Sequence, residues 1–123
     1  MKRPTTPAPR RSNAPIFWAL FGAGGMLSAL LGPVLVLITG LLVPLGLLPG
    51  LADPARVLRF AQHPLGKLAL LAVIALFAWH AAHRLFHSLH DLGLHTGALA
   101  RLACYGSALL ITLAAAACLL AIG

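Results

Sequence analysis

Five of the chain's six histidines fall in one run, HAAHRLFHSLHDLGLH, from His80 to His95, with Arg84 and Asp91 among them. Imidazole exchanges protons near neutral pH and ligates both metals and haem iron. Such a run could therefore hold a metal, hold a haem, relay protons or contact a polar ligand. At 100° per residue from His80, His83 falls at about −60°, Arg84 at +40°, His87 at −20°, His90 at −80° and Asp91 at +20°. All of them share one helix face, and Leu85, Leu89 and Leu92 take the other side. A structural zinc site gathers its ligands at one tetrahedral point, whereas this row spreads over roughly 15 Å of helix axis. His83 and His87, four apart, could share a metal only if further ligands came from elsewhere.

Haem b in a small bundle takes axial ligands from two facing helices. The last apolar run of this chain has no His or Met, and the first offers only Met26, so a haem would have to be shared with a partner subunit. That leaves a haem-bearing or proton-conducting anchor as the alternative to a site for a polar ligand.

The residues around the row identify its surroundings. The chain is 60% hydrophobic and 9% charged, has a mean hydropathy of +0.95, contains no Glu, and has Asp53 and Asp91 as its acids. That is too little polar material to cover a soluble domain, so lipid must cover part of the surface. The net charge of +7 comes from Lys and Arg at the ends of apolar runs, as in membrane flanks. No stretch interleaves basic and aromatic residues along a polar surface, which excludes nucleic acid as a partner. An inverted repeat and multiple intramembrane carboxylates, marks of a small transporter, are also missing. Cys104 and Cys118, roughly 20 Å apart along one helix, are too distant to bridge and read as small apolar fillers.

An all-α membrane protein with three transmembrane helices follows. Residues 1–15, MKRPTTPAPRRSNAP, form a basic, Pro-rich tail that cannot bury enough surface to order itself. The apolar segment after Arg10-Arg11 is too long for a secretory or twin-arginine signal, so it stays as an anchor. The membrane region occupies 16–123, with spans at about 16–48, 55–92 and 98–122. About 33 residues of helix in the first span would reach some 50 Å across a hydrocarbon core near 30 Å, which requires tilt or breaks. Gly32-Pro33 and Pro44 are placed to supply them. Gly93 and Gly97 suit a helix end and turn before the third span, where Gly106, Ser107 and Ala108 offer a small patch for close helix approach.

The tail and the second loop together carry Lys2, Arg3, Arg10, Arg11, Arg84 and Arg101, against Arg56, Arg59 and Lys67 on the other side. The N-terminus is therefore expected in the cytoplasm and the C-terminus in the periplasm. The histidine row then lies at the cytoplasmic boundary, where an ionisable stripe should face a bundle interior, a water-filled cavity or another subunit. His83 and Arg84 are the deepest of its clustered charged positions. His80, deeper still, reads as a neutral side chain donating to a carbonyl, and His90 and His95 as interfacial polar residues. On the same side the first span begins PIFWALFGAGGM, with Phe17, Trp18 and Phe21 followed by Gly22, Gly24 and Gly25. Aromatic rings beside imidazoles suit a planar ligand with polar edges, a quinone above all. The glycines lack the third Gly and the preceding strand of a dinucleotide fingerprint and read as a close helix contact.

The ordered blocks PIFWALFGAGGM, LLVPLGLLPG, RVLRFAQ, HRLFHSLHD and YGSA resemble the D subunits of bacterial quinol:fumarate reductases over nearly the whole chain after the tail. The resemblance implies a noncatalytic, multi-pass anchor in the cell inner membrane. Its partners would be an iron-sulfur subunit, a sister membrane anchor (the C subunit) and, through the complex, a flavoprotein subunit. It implies a menaquinol or quinone site shared with those partners, with FAD and iron-sulfur clusters on the partner subunits only and no haem on this chain. The family's site residues carry over to Trp18, His83 and Arg84, with Phe17, His87 and Asp91 in support. Family members often have His at the place of Phe86 and an apolar residue or Cys at that of His80. The resemblance therefore gives His80 no role. Because this chain has no Glu, a carboxylate base for quinol protons would come from the sister anchor.

Overall fold

The computed structural model describes residues 14–51, 53–94 and 96–123, with the side chains of Ala14 and Phe17 outside that description, and the secondary-structure elements among these residues are all helices. The tail expected at 1–15 lies outside the described residues up to Asn13. Helix α1 spans Ala14–Leu37 and continues directly into a π-helical turn, Ile38–Leu42. Gly32-Pro33 does not break it, contrary to expectation, because Pro33 is carried inside α1. Proline removes one backbone donor, and helices in lipid absorb that loss by local 3₁₀ or π adjustment and by Ser or Thr side chains. Both devices occur farther along the same helix, in the turn that approaches Pro44 rather than at Pro33. Thr39 Oγ1 donates to the Leu35 carbonyl at 2.7 Å, and the Val43 amide donates five residues back, to Ile38, at 2.9 Å. Helix ends at Leu42, two residues before Pro44, and Gly46 (φ +71°) lies in the turn that follows. The first membrane-length helix is therefore Trp18–Leu42.

The segment expected as one span from 55 to 92 is two helices, α2 (Pro54–Gln62) and α3 (Pro64–Asp91). Proline sterically disfavours the α region for the residue before it, and both Asp53 and His63 are extended (ψ 112° and 136°). Each then caps the helix it precedes, a common use of a short polar side chain and a less common use of imidazole. Asp53 Oδ1 accepts from the Ala55 amide at 3.1 Å, and His63 Nδ1 accepts from Leu65 at 3.2 Å. At its far end α3 closes on Gly93 (φ +74°), whose amide bonds His90 O at 3.0 Å, while Leu94 bonds Leu89 O at 3.2 Å. This is the paired closure of a Schellman motif, and it requires the left-handed conformation that glycine adopts without penalty.

Helix α4 spans Ala98–Ala121 and, like α1, packs on α3. The contacts set the directions. Phe21 near the start of α1 and Tyr105 near the start of α4 both meet His83 near the end of α3, and Gln62 Nε2 donates to Ile122 O at 3.4 Å beside the end of α4. Helices α1 and α4 therefore both run antiparallel to α3. The α3–α4 seam is built of small residues, Ala82, Cys104 and Ala108, with Ala78, Trp79, Phe86, Leu89 and Tyr105 around it. Small side chains let helix backbones approach where lipid provides no hydrophobic force between helices. Cys104 is one of these fillers, as expected, and Cys118 is exposed. Few side chains are buried, and the outer faces carry exposed Leu, Ile, Val and Met. Lipid or neighbouring subunits must cover them.

Candidate functional site

His80, His83, His87 and His90 occupy the last three turns of α3, and α1 and α4 divide them. Gly24 and Gly25 bring α1 close. A Cβ on Gly24 would stand 2.7 Å from the Leu76 carbonyl oxygen, and one on Gly25 would stand 2.8 Å from His80 Cε1. Close packing thus accounts for these two glycines, while a Cβ on Gly22 meets nothing within 4 Å. His80 uses the space to engage the Phe21 carbonyl through Nδ1 at 3.1 Å. That is the carbonyl contact expected for it.

One turn on, His83 stands in the crevice between α1 and α4. Its ring is stacked on Phe21 (centroids 4.0 Å, planes 18° apart) and meets His87 edge-on at 4.3 Å. Its Nδ1 is 3.0 Å from the Tyr105 hydroxyl of α4. With Nδ1 engaged, Nε2 is the nitrogen left to meet anything outside the chain. Tyr105 is itself set among rings, 6.2 Å from Trp79 and 5.8 Å from Phe86, and the Arg101 guanidinium lies 5.7 Å over Phe86. Of the predicted residues whose side chains are described, His83 is the one in contact with side chains of α1, α3 and α4.

The other candidates are placed less centrally. Arg84 follows His83 by one residue, projects about 100° away around α3 and is exposed, as are His87 and Asp91. Trp18 is 80% exposed and stands a turn before Phe21 at the edge of the face that α1 turns to α3. Phe21, rather than Trp18, is the ring against His83. The side chain of Phe17 and residue His95 lie outside the described residues. His90 Nδ1 lies 3.3 Å from Thr96 Oγ1 across the α3–α4 turn, an ordinary interfacial contact. Among the described residues, no group of three or more His, Cys, Asp or Glu is placed to hold a metal ion.

Sequence reasoning misses Tyr105 as a site residue. The signal is present, since it is the chain's one tyrosine and sits in an Ala and Leu helix where a hydroxyl needs a partner. Phe21 stands out only as one of three aromatic residues, and nothing in its spacing sets it against His83.

Three helices long and apolar enough to cross a membrane, a seam of small residues and a polar edge at one end define an all-helical membrane anchor. The family model for the D subunit of fumarate reductase matches residues 8–120. The chain is 47% identical over 106 residues to the fumarate reductase D subunit of Vibrio vulnificus, covering 85% of each chain. It is 48% identical over 106 residues to that of Vibrio parahaemolyticus, again 85% of each. To that of Photobacterium profundum it is 47% identical over 105 residues, covering 85% of this chain and 88% of the relative. The chain belongs to the fumarate reductase D-subunit family.

Proposed function

We propose that the chain is a noncatalytic anchor that attaches the flavoprotein and iron-sulfur subunits of a fumarate reductase to the inner membrane and, with a sister anchor, forms the quinol site that supplies their electrons. The observation that carries this reading is His83, fixed between Phe21 and Tyr105 with Nε2 left for a ligand. A quinol hydroxyl presents a proton to that nitrogen, and the stacked Phe21 ring continues an apolar wall suited to the quinol ring. Arg84 supplies positive potential from the adjoining side of α3, and Trp18 contacts the ring or its hydrogen-bond network. The exposure of both residues suits a site whose remaining walls come from other subunits. Phe17, His87 and Asp91 support it from the same end.

The excess of Lys and Arg in the tail and at the facing ends of α3 and α4, with Arg84 in the one and Arg101 in the other, supports a cytoplasmic N-terminus and a periplasmic C-terminus. On that topology the site adjoins soluble partner subunits on the cytoplasmic side. The test is His83→Ala in the intact membrane complex, assayed with a menaquinol analogue and separately with reduced viologen, which bypasses the quinol site. Loss of the quinol-linked rate alone is expected. Equal loss of both rates, or no loss, overturns the assignment of His83.

A further inference from the structure

The contact between Tyr105 and His83 crosses from α4 to α3, joins two polar side chains beside a seam of small and aromatic residues, and lies at an imidazole that also stacks on Phe21 of α1. As simple glue between helices it would need no particular chemistry. Its attachment to Nδ1 gives it one. A neutral imidazole carries its proton on one nitrogen and a lone pair on the other. A quinol hydroxyl is a proton donor, so oxidation at this site needs the lone pair on Nε2 and the proton on Nδ1. A tyrosine hydroxyl can donate to Nδ1 or accept from Nδ1–H, and with a quinol hydroxyl donating at Nε2 it must accept, which holds the ring in this tautomer.

We propose that Tyr105 is a positioning residue for quinol oxidation, its oxygen accepting a hydrogen bond from His83 Nδ1–H so that Nε2 is free to take a quinol proton. The inference rests on the quinol reading of His83 given above. In the step itself, one quinol O–H bond breaks, its proton forms a new N–H bond at Nε2, and its electron pair stays on the quinol oxygen. The second hydroxyl gives its proton to a base outside this chain. The two electrons leave singly to the iron-sulfur clusters of the partner subunit and on to fumarate, and His83 later returns its proton to water. When Nε2 is protonated the ring is a cation, and the Nδ1–H bond to Tyr105 becomes charge-assisted and stronger. The interaction is thus worth more in the transition state than in the bound quinol, which places its effect on kcat rather than on KM.

The packing keeps the hydroxyl where the step needs it. The Tyr105 ring is half-buried between Trp79 and Phe86, and its neighbour Cys104 is buried in the α3–α4 seam against Ala82. Rotation of the ring out of this setting would break the bond between the hydroxyl and Nδ1.

The test is Tyr105→Phe in the intact membrane complex, which keeps the ring and removes one oxygen. The expected result is a fall of about tenfold in kcat for menaquinol-linked fumarate reduction, the size expected from losing a hydrogen bond to a group that becomes charged. KM for the quinol should stay within about twofold, with reduced-viologen activity unchanged. In the His83→Ala background the same substitution should cost nothing further. An unchanged kcat, a rise in KM alone, an equal loss with viologen, or a complex that does not assemble each overturns the positioning role. If His83→Ala abolishes quinol turnover while Tyr105→Phe leaves it intact, this inference fails and the quinol reading stands. If His83→Ala leaves quinol turnover intact, both fail.

Discussion

The Phe21 carbonyl oxygen in α1 is engaged by the His80 imidazole of α3 at 3.1 Å, and Gly25, one turn after Phe21, is the residue whose missing side chain admits the ring. The same turn of α1 holds the Phe21 ring against His83. His80 therefore fixes the register of the two helices at the level of the proposed site, a role that the imidazole row alone does not reveal.

This packing separates two glycine substitutions. A methyl on Gly25 meets the outer end of a side chain, 2.8 Å from His80 Cε1, and the imidazole can swing away, giving up its bond to Phe21. Gly25→Ala should cost about 1 kcal/mol, the usual worth of one such bond. A methyl on Gly24 meets backbone, 2.7 Å from the Leu76 carbonyl oxygen, and nothing can move except the helix. Gly24→Ala should cost about 1–3 kcal/mol, as overpacking does. Thermal melting of the detergent-solubilised complex should order them wild type, Gly25→Ala, Gly24→Ala. The reverse order of the two variants would contradict the α1–α3 contact.

The Phe21 stack makes a second prediction, on activity. Stacked aromatic pairs are worth about 0.5–1.5 kcal/mol beyond area burial, and this one holds the His83 ring in its plane. Phe21→Ala should lower kcat/KM for quinol-linked fumarate reduction by about two- to tenfold while sparing viologen-linked reduction. Phe21→Trp, which can restore a stack, should lose less. A loss confined to the viologen assay, or none in either, would show that the stack does not serve the site.

How far the sequence reveals this arrangement depends on which physical signal each residue carries. Membrane-length helices are written as long apolar runs, and the helical projection of the histidine row places His83 on one polar face without any coordinates. Pairwise contacts between helices leave no such trace. Tyr105 is twenty-two positions from His83 and is neither charged nor part of a periodic pattern. Trp18 and Phe21 are indistinguishable by type, and only the crossing of α1 over α3 decides which ring meets the imidazole. The division at His63-Pro64 is legible in principle, since a residue before proline leaves the α region, but the apolar run beyond Lys67 draws the expected span through it. Pro33 shows the opposite case. The rule that proline breaks helices is weaker in lipid, where an interrupted helix must still pair its backbone groups internally.

The end of α3 offers a stability test at the membrane boundary. Gly93 has φ +74° and closes the Schellman motif with Leu94 bonded to Leu89. A side chain in the left-handed region costs roughly 1–2 kcal/mol. Nothing stands within 4 Å of a Cβ placed there, so the cost is conformational rather than steric. Gly93→Ala should lower the melting temperature of the complex, and Gly93→Asn should recover part of the loss because Asn tolerates this conformation better than Ala does. Equal melting of all three proteins would rule out the left-handed cap.

The junction between α2 and α3 connects stability to topology. A methyl on Gly66 would overlap the Phe60 carbonyl oxygen, a backbone atom of the last turn of α2. Neither group can rotate aside, so Gly66→Ala should force α2 off α3 and break the bond from Gln62 to Ile122. Helix α2 carries Arg56 and Arg59, both trypsin sites, and both are exposed in the folded chain. Trypsin needs several residues of extended backbone around its target, so the helical state should resist cleavage and the detached state should not. Gly66→Ala membranes should thus be cut at Arg56 or Arg59 at least several-fold faster than wild type, since opening by even ~1.4 kcal/mol raises the cleavable population tenfold. With the N-terminus cytoplasmic, cleavage should appear in right-side-out vesicles and not in inverted ones. Cutting in the inverted vesicles alone would reverse the orientation, and equal resistance of wild type and variant would refute the close approach at Gly66.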